Sequence, residues 1–215
     1  MRIKLHLIGA LLIVGILRVH GTPQLPDILI YEAHEYPIRS VLLDDYFIKY
    51  PDRNPKDPES MCSALWRGYV AYFLAVDGKI SLNDIYANGC FDRSNSSLKK
   101  AVPSGERLYI DWYSGLLEAD YGENHADPYS LEALDSWEKY SLFEVENGRI
   151  NEVRHFDNKG FLDFKKRQFE AYKKTEEYKQ KVKARLAERK DLTKADLDSE
   201  MKFWIVSNTK KFLVK

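Results

Sequence analysis

Metal and redox signatures are missing from this sequence of 215 residues. No Cys-x-x-Cys or His-x-x-x-His spacing occurs, which removes the usual ligand sets for zinc. There is no Gly-x-Ser-x-Gly elbow, no phosphate-binding glycine loop, and no nucleophile motif around either cysteine, so the common hydrolase and nucleotide-binding classes are not signalled. Formal net charge is zero, without the cationic excess that marks nucleic-acid binding, and no nucleic-acid partner is expected. No apolar run reaches the roughly twenty residues of a spanning helix.

The longest such run, Leu7 to Leu17, follows a basic start at Arg2 and Lys4 and precedes the small residue Gly21. This is the layout of an export signal cut after Gly21. Residues 1–21 are expected to be a signal peptide, with a periplasmic or secreted protein following and no membrane span after signal removal. An uncleaved anchor is the rival. No cysteine follows the run, which argues against a lipid anchor there. Exported chains meet an oxidising compartment, and Cys62 and Cys90 are expected to pair rather than stay as buried thiols. The turn signal Asp77-Gly78 supports this, because a type I′ hairpin in that register leaves Cys62 just past its open end, near Cys90.

The charge is divided along the chain. Residues 22–160 carry 14 basic and 24 acidic side chains, whereas residues 161–215 carry 16 and 9. The front is read as one antiparallel β-rich domain, 22–160, and the tail as a helical extension, 161–215. Within the front, Ile28 and Ile30 mark a strand that turns near Ala33-His34 and returns through Tyr36. Val41 to Tyr50 is ambiguous between strand and helix, and three prolines make Pro51 to Ser60 a loop. "ALWRGYVAYFLAVDGKISLNDIYA" is the clearest hairpin, and Asn147-Gly148 centres another. "RLYIDWYSG" reads as a strand, and "LEALDSW" as one helical turn. The sequon Asn95-Ser96-Ser97 lies in a polar connection.

Phe161 to Lys190 is rich in Lys, Glu, Gln, Arg and Ala without Pro or Gly, which predicts a single long charged helix that docks and then projects. Asp163/Arg167, Glu170/Lys174 and Glu177/Lys181 stand four apart, each such pair contributing about 0.3 kcal/mol. Thr193 is a candidate N-cap with Asp196 three residues on, opening a shorter terminal helix. Self-pairing of the tail as a coiled coil is one possible use of it; contact with a protein or envelope partner is another.

The segments "LIYEAHEYPI", "ALWRGYVAYFLAVDGKISLNDI", "DWYSG" and "FEVENGRINEVRHFDNKG" resemble a group of bacterial conserved hypothetical proteins. The resemblance covers most of Asp27 to Gly160 and none of the tail. It implies a recurring front domain and carries over no catalytic residue.

Several side chains are candidates for chemistry. If Ser114-Gly115 is a tight turn, Asp111 faces Glu118 with β-carbons about 5 Å apart, a spacing that resembles the carboxylate pair of retaining glycosidases. The bland reading puts both acids on a wet face beside an arginine. Arg67 alternates with Leu65 and Tyr69, and a cation so placed needs a carboxylate, for which Asp84 and Asp111 are candidates. Asp120, Glu123, His125 and Asp127 share a loop that lacks the register of a calcium site. No cofactor or metal is expected. The fold class is α+β: an antiparallel β-meander of about three hairpins, a long charged C-terminal helix and a shorter terminal helix. The leading functional expectation is a non-enzymatic binding or interaction module, with Arg67, Trp66, Tyr69, Trp112, Tyr113 and the helical tail as contact candidates. A small glycoside-type hydrolase using Asp111 and Glu118 is the alternative.

Overall fold

The computed structural model describes residues 23–56, 62–87, 89–90, 92–127 and 130–215; the expected signal peptide, 1–21, lies outside the described residues. Seven strands, β1 (Asp27–Tyr31), β2 (His34–Ile38), β3 (Val70–Val76), β4 (Lys79–Tyr86), β5 (Gly115–Asn124), β6 (Trp137–Glu146) and β7 (Arg149–Asp157), close into a barrel. Their order is β1-β2-β5-β6-β7-β4-β3, and neighbours are antiparallel except β1 with β3. The fold is therefore mixed α+β, but its sheet is not a meander. Strand β2 leaves its sequence neighbour β3 and pairs with β5 instead, which lets every strand find a partner on both edges.

Local chemistry explains the hairpins. At Glu32-Ala33, Asp77-Gly78 and Asn147-Gly148 both turn residues have positive φ, the backbone that two-residue type I′ turns require. Two of these tips also close the barrel. Ile80 N donates to Gly148 O (2.9 Å) and Ile150 N to Gly78 O (2.8 Å), so β4 and β7 meet only where their hairpins touch. Beyond that point β4 is covered by the segment read above as a strand. "RLYIDWYSG" is a strap, bound through Leu82 N to Leu108 O (2.8 Å) and Ile110 N to Ile80 O (3.0 Å). Gly148 sits under this strap, and a Cβ there would lie 2.6 Å from Ile110 O. Glycine is required for close approach as well as for φ.

The barrel interior is a packed apolar core. Leu29, Ile38, Phe73, Ile80, Ile85, Leu117, Phe143 and Val145 belong to it, and so do Leu42, Leu43, Tyr46 and Phe47 from the next segment. That packing settles the ambiguous stretch: α1 (Asp44–Lys49) is a short helix. A four-residue helix, α2 (Leu98–Ala101), adds Ala101. Cys62 and Cys90 form the disulfide, with Cα atoms 5.9 Å apart.

The tail is not one helix. It comprises α3 (Asn158–Tyr172), α4 (Glu176–Glu188), α5 (Lys194–Phe203) and α6 (Ile205–Asn208). The break after Tyr172 is made by Thr175, whose hydroxyl donates to Tyr172 O (2.7 Å) and accepts from Tyr178 N as the cap of α4. Side-chain competition of this kind interrupts helices without Pro or Gly. Folding back then buries Phe169, Tyr172, Tyr178 and Val182 against Met201 and Ile205. Of the expected pairs, Asp163–Arg167 forms (2.9 Å), Glu170 meets Lys173 instead, and Lys181 turns to Asn208. Thr193 and Asp196 make a full capping box. A second apolar layer, Leu116, Tyr140 and Leu142 with Phe161, Phe164 and Val206, joins the barrel's outer face to α3 and α6. Among the described residues no helix is long and apolar enough to cross a membrane.

Candidate functional site

The period-two alternation of strands separates two sets of side chains on β5. Leu117 and Ala119 point into the barrel core, while Leu116, Glu118 and Asp120 point outward, towards the helices. Two of those outward residues are acids in a face that is otherwise being covered. Pairing of β2 with β5 brings Arg39 over them: Arg39 N donates to Glu118 O (3.1 Å), directly after the Ile38–Ala119 register point. Its guanidinium then grips Asp120 through two bonds of 2.6 Å, the fork geometry that arginine offers carboxylates. A second ion pair comes from the tail. Lys165 on α3 donates to both oxygens of Asp135 at 2.7 and 2.8 Å. Asp135 ends a short 3₁₀ turn (Leu131–Asp135) and is held there by Asn158, which donates to its carbonyl.

These groups surround a cavity of about 150 Å³ between barrel and tail, lined by Arg39, Ser40, Glu118, Asp135, Lys165 and Trp204 among others. The two cations are each engaged by a partner carboxylate. Glu118 is not so placed: it meets Arg39 at 3.7 Å, beyond hydrogen-bonding distance, with its side chain 16% exposed. Burial pushes its carboxyl up to about 7, against the pull of Arg39 and Lys165, while Asp120 and Asp135 push the same way as burial. Burial also raises Asp120, with Arg39 opposing. The site thus offers one carboxyl held away from any close cation, two ion pairs, and the rings of Phe203 and Trp204 at its wall.

The candidates read from the sequence scatter. Asp111 lies on the exposed strap, whereas Glu118 is in β5 opposite Leu142, so the two do not face each other. The tight turn at Ser114-Gly115 that would have paired them does not form. Arg67 is committed elsewhere: it donates to Asp27 (2.9 Å) and to Leu25 O (2.8 Å), neither of them an expected partner. Asp27 is fully buried, and desolvation raises it to about 6 in spite of Arg67. Tyr69 is buried beside Phe47. Trp112 stacks on Tyr46 and donates to Leu42 O, and Tyr113 donates to Leu116 O. Trp66 alone holds out most of its ring, at 70% exposure.

Two arrangements were invisible in the sequence. Arg39, Asp135 and Lys165 carry no motif, and Asp120, expected in an acidic loop with Glu123, lies with it inside β5 instead; the available signal is the two acids, Glu118 and Asp120, at alternate positions in that apolar run. The second is a bond between Ser141 Oγ and His155 Nδ1 (2.7 Å). That serine is fully buried and also bonded to Tyr121 Oη (3.0 Å), so it is a packing element and not an exposed nucleophile. Among the described residues no three His, Cys, Asp or Glu side chains converge as a metal site. Compared with family models, with curated proteins and with solved structures, the chain matches none.

Proposed function

We propose that this is an exported, non-enzymatic binding protein whose ligand site is the charged cavity between the barrel and its helical tail. One observation carries the reading: four ionisable side chains, Arg39, Glu118, Asp135 and Lys165, line one cavity, and Glu118 meets Arg39 there only at 3.7 Å, beyond hydrogen-bonding distance. Pockets with a few convergent polar groups on an apolar wall are the usual form of small-molecule sites. The signal-like start and the Cys62–Cys90 bond support export. The hydrolase alternative loses its pair of facing carboxylates, because Asp111 is on the strap.

The test is a thermal-shift screen of the intact protein against small amines, carboxylates, sugars and nucleosides. Saturable stabilisation by one class is expected, and Ser207→Phe, which fills the cavity from α6, should abolish it. Absence of any such response overturns the reading. Turnover of a glycoside or ester that Glu118→Gln abolishes would replace it with an enzymatic one.

A further inference from the structure

The charges around the cavity do not balance. The lining holds two cations, Arg39 and Lys165, and two carboxylates, Glu118 and Asp135, and a third carboxylate, Asp120, takes both close bonds of Arg39, so Glu118 keeps only a 3.7 Å contact with that guanidinium. When ionised, Glu118 leaves this group of five charges, Asp120 included, with one net negative charge at a partly buried position, where screening is weaker than in bulk water. An anion would face the carboxylates of Glu118 and Asp135, and a neutral ligand would add nothing to the long contact that Glu118 makes with Arg39. A monocation satisfies both the charge and the missing hydrogen bond.

The walls favour the same class. Lys165 Nζ lies 4.8 Å from the Phe203 ring centroid, so this corner already accepts an ammonium group against an aromatic face. Trp204 stands beside Phe203 in an edge-on contact of 4.8 Å and keeps 44% of its surface open. Ser40 and Ser207 supply hydroxyl oxygens on the lining. A volume of about 150 Å³ is that of a cavity able to hold a molecule of benzene's size, about six heavy atoms.

From this we infer that the cavity is a receptor for a small alkylammonium ion, its head against Glu118 and its carbon stem against Trp204 and Phe203. The inference rests on the proposed binding function and specifies the ligand class of that site. Ligand binding and proton binding then compete at one carboxyl. The other groups facing Glu118 are Arg39 from the end of β2, Asp120 on β5, Asp135 from the 3₁₀ turn and Lys165 on α3. Tyr140 on β6 is pushed up to about 12 by burial and stays neutral throughout.

The experiment is calorimetric titration of the full chain with butylammonium, with butanol and butyrate as controls. At pH 8 one saturable site is expected for butylammonium and none for the controls. Its affinity should fall by roughly tenfold per pH unit below pH 7, as Glu118 takes up its proton. Glu118→Gln should weaken binding at least about tenfold while circular dichroism shows the fold retained, and Trp204→Ala should weaken it less. Failure of butylammonium to bind at pH 8, or equal binding by Glu118→Gln, overturns the inference. If butyrate or a sugar then binds in a manner blocked by Ser207→Phe, the cavity is still a ligand site and only the cation assignment is wrong. If nothing binds, both readings fall together.

Discussion

The two faces of strands β5 and β6 solve different problems with alternate residues of the same strands. Inward, Leu117, Ala119, Phe143 and Val145 complete an apolar core within the barrel. Outward, Leu116, Tyr140 and Leu142 pack on α3 and α6, but Glu118 and Asp120 interrupt that layer with charge. The difference separates stability from function. An apolar interior gains its free energy from burial alone, roughly 25 cal/mol per Å², whereas buried ion pairs are weak stabilisers relative to apolar replacements. Charges retained in a covered layer at that cost point to use; elsewhere in the barrel a buried carboxylate, Asp27, is matched by Arg67 at 2.9 Å.

Mutations on the two faces should therefore respond differently to pH. Phe143→Ala, on the inner face, is expected to have the largest effect, about 3–5 kcal/mol lost by urea denaturation and about the same at pH 5 and pH 8. A strongly pH-dependent loss would show that the inner face is not electrically quiet. Glu118→Gln, on the outer face, should behave in the opposite way. In the native protein this carboxyl is raised from 4.5 to about 7, so the folded state binds more protons than the unfolded state between those values. Stability contributed by this group is full below pH 4.5 and is lost as pH rises to about 7. The total is on the order of 3 kcal/mol. Glu118→Gln should remove that slope and leave the protein more stable than wild type at pH 8; an unchanged slope would place the titration elsewhere, with Asp27, raised to about 6, the next group to test. The smallest effect belongs to Asp111→Asn on the exposed strap, within about 0.5 kcal/mol of wild type and without influence on ligand binding. A larger change in either would restore Asp111 to the site.

Much of the local structure was legible. Asp77-Gly78 and Asn147-Gly148 declare type I′ turns because few other residues adopt left-handed backbone on both sides of a turn, and both turns are present. Thr193 with Asp196 reads as a helix start because the signal lies wholly within four residues, and the capping box is there. The Cys62–Cys90 bond could be anticipated because a hairpin fixed the neighbourhood of both cysteines. The strap was misread for an equally physical reason. "RLYIDWYSG" alternates like a strand, but its Leu108 and Ile110 backbones complete an edge of β4 instead of opening a hairpin. The helix break at Thr175 was missed because propensity favours continuation, and only burial of Tyr172 and Tyr178 on Met201 and Ile205 rewards the turn back.

The site was the least legible part, since its members come from β2, β5, a 3₁₀ turn and α3, and none of their identities implies the others. The amino-acid sequence by itself determined the turns at Asp77-Gly78 and Asn147-Gly148, the Thr193 cap, and the acidic front and basic tail. Only the tertiary structure decided that β2 passes over β3 to reach β5, that the tail folds back over the outer face, and hence that Arg39, Glu118, Asp135 and Lys165 share one cavity. Turns and caps depend on backbone preferences within a few residues. Partner choice between distant strands depends on which closure buries the most apolar surface while satisfying every edge and charge, and that is a property of the whole chain.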